Sequence, residues 1–263
     1  MPEKEIAIVI PCYNEEKRLK SDDFIRFGQA NQHIDLLFVN DGSCDSTLRV
    51  INDICRRLPG QTECLDLAEN VGKAEAVRRG FLSAMSRPYR FIGFFDGDLS
   101  TPLDAVLSFY HVLQSSNAEI VLGSRVKCLG KKIIRDPSRH YFGRIFATFA
   151  SMLLRMGVYD TQCGAKLFRN DAYLESVFST PLLTKWAFDV EILMRYKLLL
   201  RKYDPTASLN SAYAVEYPLD YWRHCSGSKI KAYECITSGL SLIKIYLYYV
   251  SPYLSNACTQ KFK

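Results

Sequence analysis

The chain has 263 residues, 48% hydrophobic and 24% charged, with a net charge of +6. That balance excludes a disordered chain and fits one sizeable domain, whose core can form without disulfides or a structural metal. No uncharged apolar run reaches the roughly 18 residues of a membrane-spanning helix, and the opening Glu3, Lys4 and Glu5 are unlike a signal peptide.

Residues 6–10 form a short, wholly apolar run of buried-strand type. A second such run covers 36–39. A helix follows, with Leu48, Ile51, Ile54, Cys55 and Leu58 at helical spacing and Ser43 and Asp45 as cap candidates. Residues 64–67 predict a third strand. The next helix covers about residues 72–85, with Ala74, Val77, Phe81 and Ala84 on one face. Residues 91–95 give a fourth strand. Pro102 is expected in the first turn of the following helix, which contains Leu103, Val106, Leu107 and Tyr110. A fifth strand covers 120–122. Phe142, Ile145, Phe146, Phe149, Met152 and Leu153 then recur at helical spacing, Asp189 opens an apolar helical stretch over 190–200, and Leu240, Ile243, Leu247 and Val250 form a last stripe. Alternating strands and helices imply an α/β three-layer sandwich around a mostly parallel sheet. In such sheets ligands bind beyond the carboxyl ends of the strands.

Charge is unevenly placed. Residues 123–155 hold eight basic side chains and one acid, residues 221–263 hold six and one, and the remainder is net −6. Both basic segments also carry the late apolar stripes. A basic amphipathic helix can lie in a lipid interface, whereas the plainer reading turns each stripe toward the core. No nucleic-acid-binding motif appears, so no nucleic acid partner is expected. The nine cysteines contain no Cys-x-x-Cys pair and read as reduced thiols.

The strand ends carry the chemistry. Strand one runs into Pro11-Cys12-Tyr13-Asn14-Glu15, strand two into Asn40-Asp41-Gly42-Ser43, strand four into Asp96-Gly97-Asp98 and strand five into Gly123-Ser124-Arg125. Any one alone would read as a turn, but all four share one sheet edge. Two carboxylates at i and i+2 suit Mg2+ or Mn2+, which use one or two carboxylates plus substrate phosphates. Neither a Gly-x-Gly-x-x-Gly after strand one nor a P-loop is present, which disfavours dinucleotide and P-loop chemistry.

The run from Ile8 through Pro11 to Glu16 resembles the opening of family 2 inverting glycosyltransferases of the GT-A, Rossmann-like fold. Asn40-Asp41-Gly42-Ser43 and Asn70-Val71-Gly72-Lys73 resemble that family's next two motifs. Asp160-Thr161-Gln162-Cys163-Gly164-Ala165-Lys166 and Trp186-Ala187-Phe188-Asp189 resemble dolichyl-phosphate β-glucosyltransferases. Gly227-Ser228-Lys229 is shared by these and the dolichyl-phosphate mannose synthases. The membrane helix that precedes the eukaryotic glucosyltransferases is not seen, Asn40 stands where they usually have Asp, and Asp96 to Thr101 looks more bacterial.

The resemblance implies transfer of a hexose, glucose by these motifs, from a nucleotide diphosphate sugar such as UDP-glucose to a polyprenyl or dolichyl phosphate, with inversion. It implies that Pro11, Tyr13, Glu15, Asp41, Lys73, Asp96, Gly97 and Asp98 bind the nucleotide, and that Asp96 and Asp98 hold the metal. The catalytic residues it implies are Asp98, Arg125, Asp189, Arg223 and Lys229. Arg125, Arg139, Arg223 and Lys229 are expected to grip the acceptor phosphate. Cys163 is given no nucleophilic role. Residues 1–220 would form the catalytic domain, with 221–263 an acceptor loop and C-terminal amphipathic helix of the same domain. The site would work peripherally on the cytoplasmic face of a membrane, where a membrane partner protein could also bind. A GDP-mannose donor, a saccharide or other hydroxyl acceptor, and a silent nucleotide-binding scaffold subunit are the competing readings.

Overall fold

The computed structural model describes residues 4–134, 137–203, 213–223 and 232–251, with the side chains of 137–142, 203 and 232–236 outside the description. In chain order the elements are β1 (Ile6–Cys12), α1 (Ser21–Ala30), β2 (Ile34–Asp41), α2 (Thr47–Arg57), β3 (Thr62–Leu67), α3 (Lys73–Met85), β4 (Phe91–Phe95), α4 (Ala105–Ser115) and β5 (Ile120–Ser124). Then follow β6 (Lys132–Ile134), α5 (Pro137–Leu154), β7 (Ala165–Arg169), α6 (Ala172–Phe178), α7 (Phe188–Tyr203), β8 (Ala214–Pro218), β9 (Tyr221–Arg223) and α8 (Ala232–Ile245), which runs into a π-helical segment, Tyr246–Val250.

Seven strands make one sheet in the order β3-β2-β1-β4-β7-β5-β8. The five expected strands are present and the sheet is mostly parallel, but β7 is wedged between β4 and β5 and runs antiparallel to both. Side chains alternate across the sheet as the period of two requires. Val9 joins Val77, Phe81 and Phe94 in the core under α3, α6 and α7. Ile8 and Ile10 join Phe24, Ile51 and Phe109 in the core under α1, α2 and α4. Phe81 anchors the first core, stacked on Phe178 at 4.2 Å and edge-on to Phe168 at 5.6 Å. Truncating such a ring to alanine typically costs about 3–5 kcal/mol.

Two local expectations need correction. Ala105 N–H donates to the Pro102 carbonyl and Val106 N–H to Leu103, both i→i+3 bonds. Pro102 thus stands in a tight turn before α4 rather than in its first helical turn. Ser43 does not cap α2, because its Oγ accepts the Asn14 N–H at 3.0 Å.

The two late helices each carry apolar residues on both faces, so the core-facing reading holds for one side of each stripe. On α5, Ala150 and Leu154 are buried and Phe146 and Leu153 pack against the core, while Ile145, Phe149 and Met152 are exposed. On α8, Leu242 and Ile245 point inward and Leu240 and Ile243 outward, followed by exposed Leu247 and Tyr248. The Phe142 side chain lies outside the described residues. Among the described residues no helix is long and apolar enough to cross a membrane.

Candidate active site

The first two motifs and the third interlock at the carboxyl ends of β1 and β2. Asn14 adopts φ +51° and accepts the Cys44 N–H at 2.8 Å, and Glu15 N–H donates to Thr47 Oγ1 at 2.7 Å. Asp41 is 2% exposed. Its carboxylate accepts the backbone N–H groups of Val71 at 2.7 Å and Gly72 at 3.0 Å, and Asn70 Nδ2 at 3.0 Å. Gly42 has φ +60°, and a Cβ there would lie 2.4 Å from Asn70 N. Only glycine permits that approach. Asp41 and Gly42 thereby fix the loop that delivers Lys73 at the start of α3.

Lys73 reaches Asp96 at the end of β4, Nζ to Oδ1 2.5 Å. Burial alone would pull the Lys73 ammonium down, but Asp96, Asp189 and Asp98 together hold it above its ordinary value. Asp96 N–H bonds the Gly164 carbonyl at 2.9 Å. The Asp96 carboxylate occupies the place a side chain at 164 would take, since a Cβ there would stand 1.9 Å from Oδ2. Asp98 Oδ1 accepts the Ser100 N–H at 2.9 Å, across a turn in which Leu99 has φ +52°. Among the described residues no group of three or more His, Cys, Asp or Glu is gathered as a metal cage. Two carboxylates leaving one strand do fit a hard divalent cation completed by substrate phosphates.

Behind this edge lie two more Asp–cation pairs. Asp189, 5% exposed and in the first turn of α7, receives Lys166 Nζ, whose side chain is 1% exposed and also bonds the Cys163 carbonyl at 2.7 Å. Burial lifts the Asp189 carboxyl above its ordinary range against the pull of Lys166 and Lys73. Arg125 makes a two-pronged contact with Asp160, Nε to Oδ2 2.6 Å and the terminal nitrogen to Oδ1 2.7 Å. The Glu216 carboxylate in turn accepts the N–H groups of Tyr159 and Asp160, both at 2.7 Å. The Trp222 ring sits 5.3 Å from the Arg125 guanidinium. Trp222 and Arg223 belong to β9, paired in parallel with β6. Arg223 N–H bonds the Ser100 carbonyl at 3.1 Å, which seats this exposed arginine beside the Asp98 turn.

Pro11, Tyr13, Glu15, Asp41, Asp96, Gly97, Asp98 and Arg125 come from strand ends along this one edge, Lys73 and Asp189 from the first turns of α3 and α7, and Arg223 from the separate β6–β9 pair. The Arg139 side chain and Lys229 lie outside the described residues. Asp41 and Arg125 have their charged groups engaged within the protein, Asp41 with a loop and Arg125 with Asp160. Sequence reasoning missed Lys166, Asp160 and Glu216 as partners and Gly164 as a steric requirement. All but Glu216 sit in the Asp160 to Lys166 motif, which was the only signal for them. Burial pushes the Cys163 thiol up to about 11, so it is a poor nucleophile. Cavities of about 70 Å³ beside Leu37 and Tyr89 and about 550 Å³ beside Arg90 and Arg169 open at the opposite sheet edge. The Asp–Lys and Asp–Arg pairs make the carboxyl edge the candidate site instead.

Residues 7–177 match the family model described as glycosyl transferase family 2. The chain is 32% identical over 202 residues to the dolichyl-phosphate beta-glucosyltransferase of Dictyostelium discoideum, covering 72% of this chain and 61% of that protein. It is 32% identical over 210 residues to the Homo sapiens protein of the same name, covering 73% and 63%. The chain thus spans under two thirds of the length of these relatives. The backbone superposes on glucosyl-3-phosphoglycerate synthase of Mycobacterium tuberculosis at 16% identity, with a TM-score of 0.64 over 93% of this chain and 80% of that one. The same synthase in complex with Mn2+, UDP and glucosyl-3-phosphoglycerate matches with a TM-score of 0.60, over 91% and 80%. An α/β sheet of GT-A form, its polar motifs gathered at one strand edge, and a family match across most of its length make this chain a glycosyltransferase of family 2.

Proposed function

We propose that the chain transfers glucose from UDP-glucose to a polyprenyl or dolichyl phosphate, with inversion, at the cytoplasmic face of a membrane. The observation that carries this reading is the pairing of opposite needs at one edge. Asp96 and Asp98 leave β4 beside Lys73, and the exposed Arg223 is tied by its backbone to the turn that holds Asp98. A nucleotide diphosphate fits the first group and an acceptor phosphate the second. The curated relatives' name supports the acceptor and the sugar, and the Mn2+ and UDP complex of a structural neighbour supports the donor side.

Pro11, Tyr13, Glu15 and the loop held by Asp41 line the base and ribose side. Asp96 and Asp98 would hold Mg2+ or Mn2+, which supplies charge neutralisation for the departing diphosphate. The acceptor needs no strong base, because a phosphate monoester loses its second proton near pH ~6. What it needs is a cation that holds it against the anomeric carbon, opposite the diphosphate. Arg223 takes that part, with Arg139 and Lys229 as further candidates. Arg125, engaged with Asp160, supports the Trp222–Arg223 strand through its guanidinium face. Asp189 sets Lys166 and faces Lys73.

A lipid acceptor requires the site to reach a bilayer. The outward residues Ile145, Phe149, Met152, Leu240, Ile243 and Leu247 lie on two helices within the basic segments, a composition suited to anionic headgroups and acyl chains. The test is a radiolabel assay with UDP-glucose or GDP-mannose against dolichyl phosphate, undecaprenyl phosphate and a saccharide, with Mn2+ or EDTA. Metal-dependent glucosyl transfer to prenyl phosphate, abolished in Asp98→Asn, is expected. Transfer to the saccharide alone would overturn the acceptor assignment.

A further inference from the structure

Among the described residues two Lys–Asp pairs lie at the site, and they differ in kind. Lys166 and Asp189 are 1% and 7% exposed, with the ammonium also bonded to the Cys163 carbonyl. Lys73 and Asp96 are 38% and 34% exposed. This pair is only half-buried, so solvent and a competing ion can reach it, which they cannot do at Lys166 and Asp189. Its geometry selects the competitor. The Asp96 carboxylate is pinned against Gly164, where a Cβ would stand 1.9 Å from Oδ2 and 2.6 Å from Oδ1, so it has little room to offer a metal another position for Oδ1. That is the oxygen Lys73 holds. Lys73 is moreover the first residue of α3, where the helix dipole disfavours a cation and favours an anion.

We propose that Lys73 is a resident cation that a divalent metal must displace from Asp96, so that metal binding waits for a nucleoside diphosphate whose phosphates receive the released ammonium. The inference rests on the metal- and nucleotide-dependent reading above. Without the diphosphate, displacement would leave the ammonium at a helix N-terminus with only the more distant Asp189 and Asp98 carboxylates, the latter shared with the metal. With the diphosphate, one exchange satisfies both partners: the metal takes the carboxylate and Lys73 takes phosphate. The linkage is reciprocal, so metal must tighten nucleotide binding by the same factor. The contrast with Lys166 matters here, because that ammonium is locked in place and cannot make the same move.

The experiment measures Mn2+ binding to the full chain by electron paramagnetic resonance and calorimetry, with and without UDP, in wild type and in Lys73→Met, Lys73→Gln and Lys73→Arg. In wild type, weak Mn2+ binding alone and at least a hundredfold tightening by UDP are expected. Lys73→Met and Lys73→Gln should bind Mn2+ alone about tenfold more tightly, with the UDP-dependent tightening reduced by a similar factor. Lys73→Arg, which keeps the cation, should stay near wild type. Circular dichroism verifies that the variants keep the native fold. Unchanged or weaker Mn2+ binding in folded Lys73→Met and Lys73→Gln would overturn the proposal while leaving the functional reading intact. Wild-type protein that binds neither UDP nor Mn2+ would overturn both.

Discussion

Gly164→Ala tests whether Asp96 owes its position to the absence of a side chain across from it. The added Cβ would stand 1.9 Å from Asp96 Oδ2, 2.3 Å from Cγ and 2.6 Å from Oδ1, whereas ordinary contact begins near 3.4 Å. Gly164 is not among the glycines of positive φ, so alanine is acceptable to the backbone and the effect is purely steric. The backbones cannot part easily, since Asp96 N–H and the Gly164 carbonyl are bonded at 2.9 Å and the adjoining residues pair Phe95 with Ala165. The carboxylate must therefore swing by about 1–1.5 Å and lose its contact with Lys73. Overpacking of this kind costs about 1–3 kcal/mol of stability. A misplacement of about 1 Å in a catalytic array can cost about 10²-fold in rate. The expected result is a folded protein with a modestly lowered melting temperature, a fall of about two orders of magnitude in transfer and weakened Mn2+-dependent UDP binding. Transfer within about threefold of wild type would refute the reasoning.

Arg125→Met removes the two-pronged contact on the buried Asp160 carboxylate, and should lower stability by about 1–3 kcal/mol in urea unfolding. A loss under about 1 kcal/mol would show that the pair is not structural. Replacing Ile145, Phe149 and Met152 together by serine should reduce flotation with anionic vesicles at least tenfold, leaving the melting temperature nearly unchanged. Phe146→Ser, on the inward face, should lower the melting temperature instead. Wild-type flotation should weaken with salt, because surface attraction is screened over ~8 Å at physiological ionic strength, and protein that never floats would end the membrane assignment. Burial, with Arg201 and Arg155 nearby, pulls Lys197 down to about 8. Between pH 8 and 10.5 this lysine then binds more proton in the unfolded chain than in the native one. The contribution of Lys197 to native stability therefore rises with pH across that window, by at most about 1.4 kcal/mol per unit, and the gain is lost as pH falls through 8. The stability difference between wild type and Lys197→Met should climb from pH 8 to 10, and a flat difference would refute it.

The parallel strands and the edge where the chemistry gathers were legible because apolar runs ended in residues that turns and ligands both require. Asp41, Asp96 and Asp98 could be placed at that edge from sequence alone. Their partners could not. Lys166 is charged yet wholly buried in β7, so Ala165 to Arg169 does not read as a core strand, and its antiparallel placement depends on pairings with β4 and β5 rather than on any local pattern. Asp160 and Glu216 lie 35 and 91 positions beyond Arg125; Asp160 opens a recognisable motif, but that motif does not name Arg125 as its partner, and Glu216 carries no local signal. α1 was missed because its buried residues Phe24, Ile25, Phe27 and Gly28 crowd into one turn and a half. The stripe on α5 was seen as one face, whereas Phe146 and Phe149 fall on different sides of the helix.

The wedge made by β7 also sets an order of assembly. β4 and β5 are not neighbours, and each gains a partner on its inner side only from residues 165–169. While a nascent chain ends before Ala165, the β4 edge that carries Phe91, Phe94 and Phe95 has unpaired backbone groups along that side, and such open edges invite pairing with other chains. The first five strands are thus an incomplete sheet, and no cut between Ser124 and Ala165 leaves β4 paired on both sides. The strand that closes the gap also carries in Lys166, with Gly164 immediately ahead of it. Sheet closure and the setting of Asp96 are one event, so a chain that fails to dock this hairpin-free strand loses its fold and its chemistry at the same step.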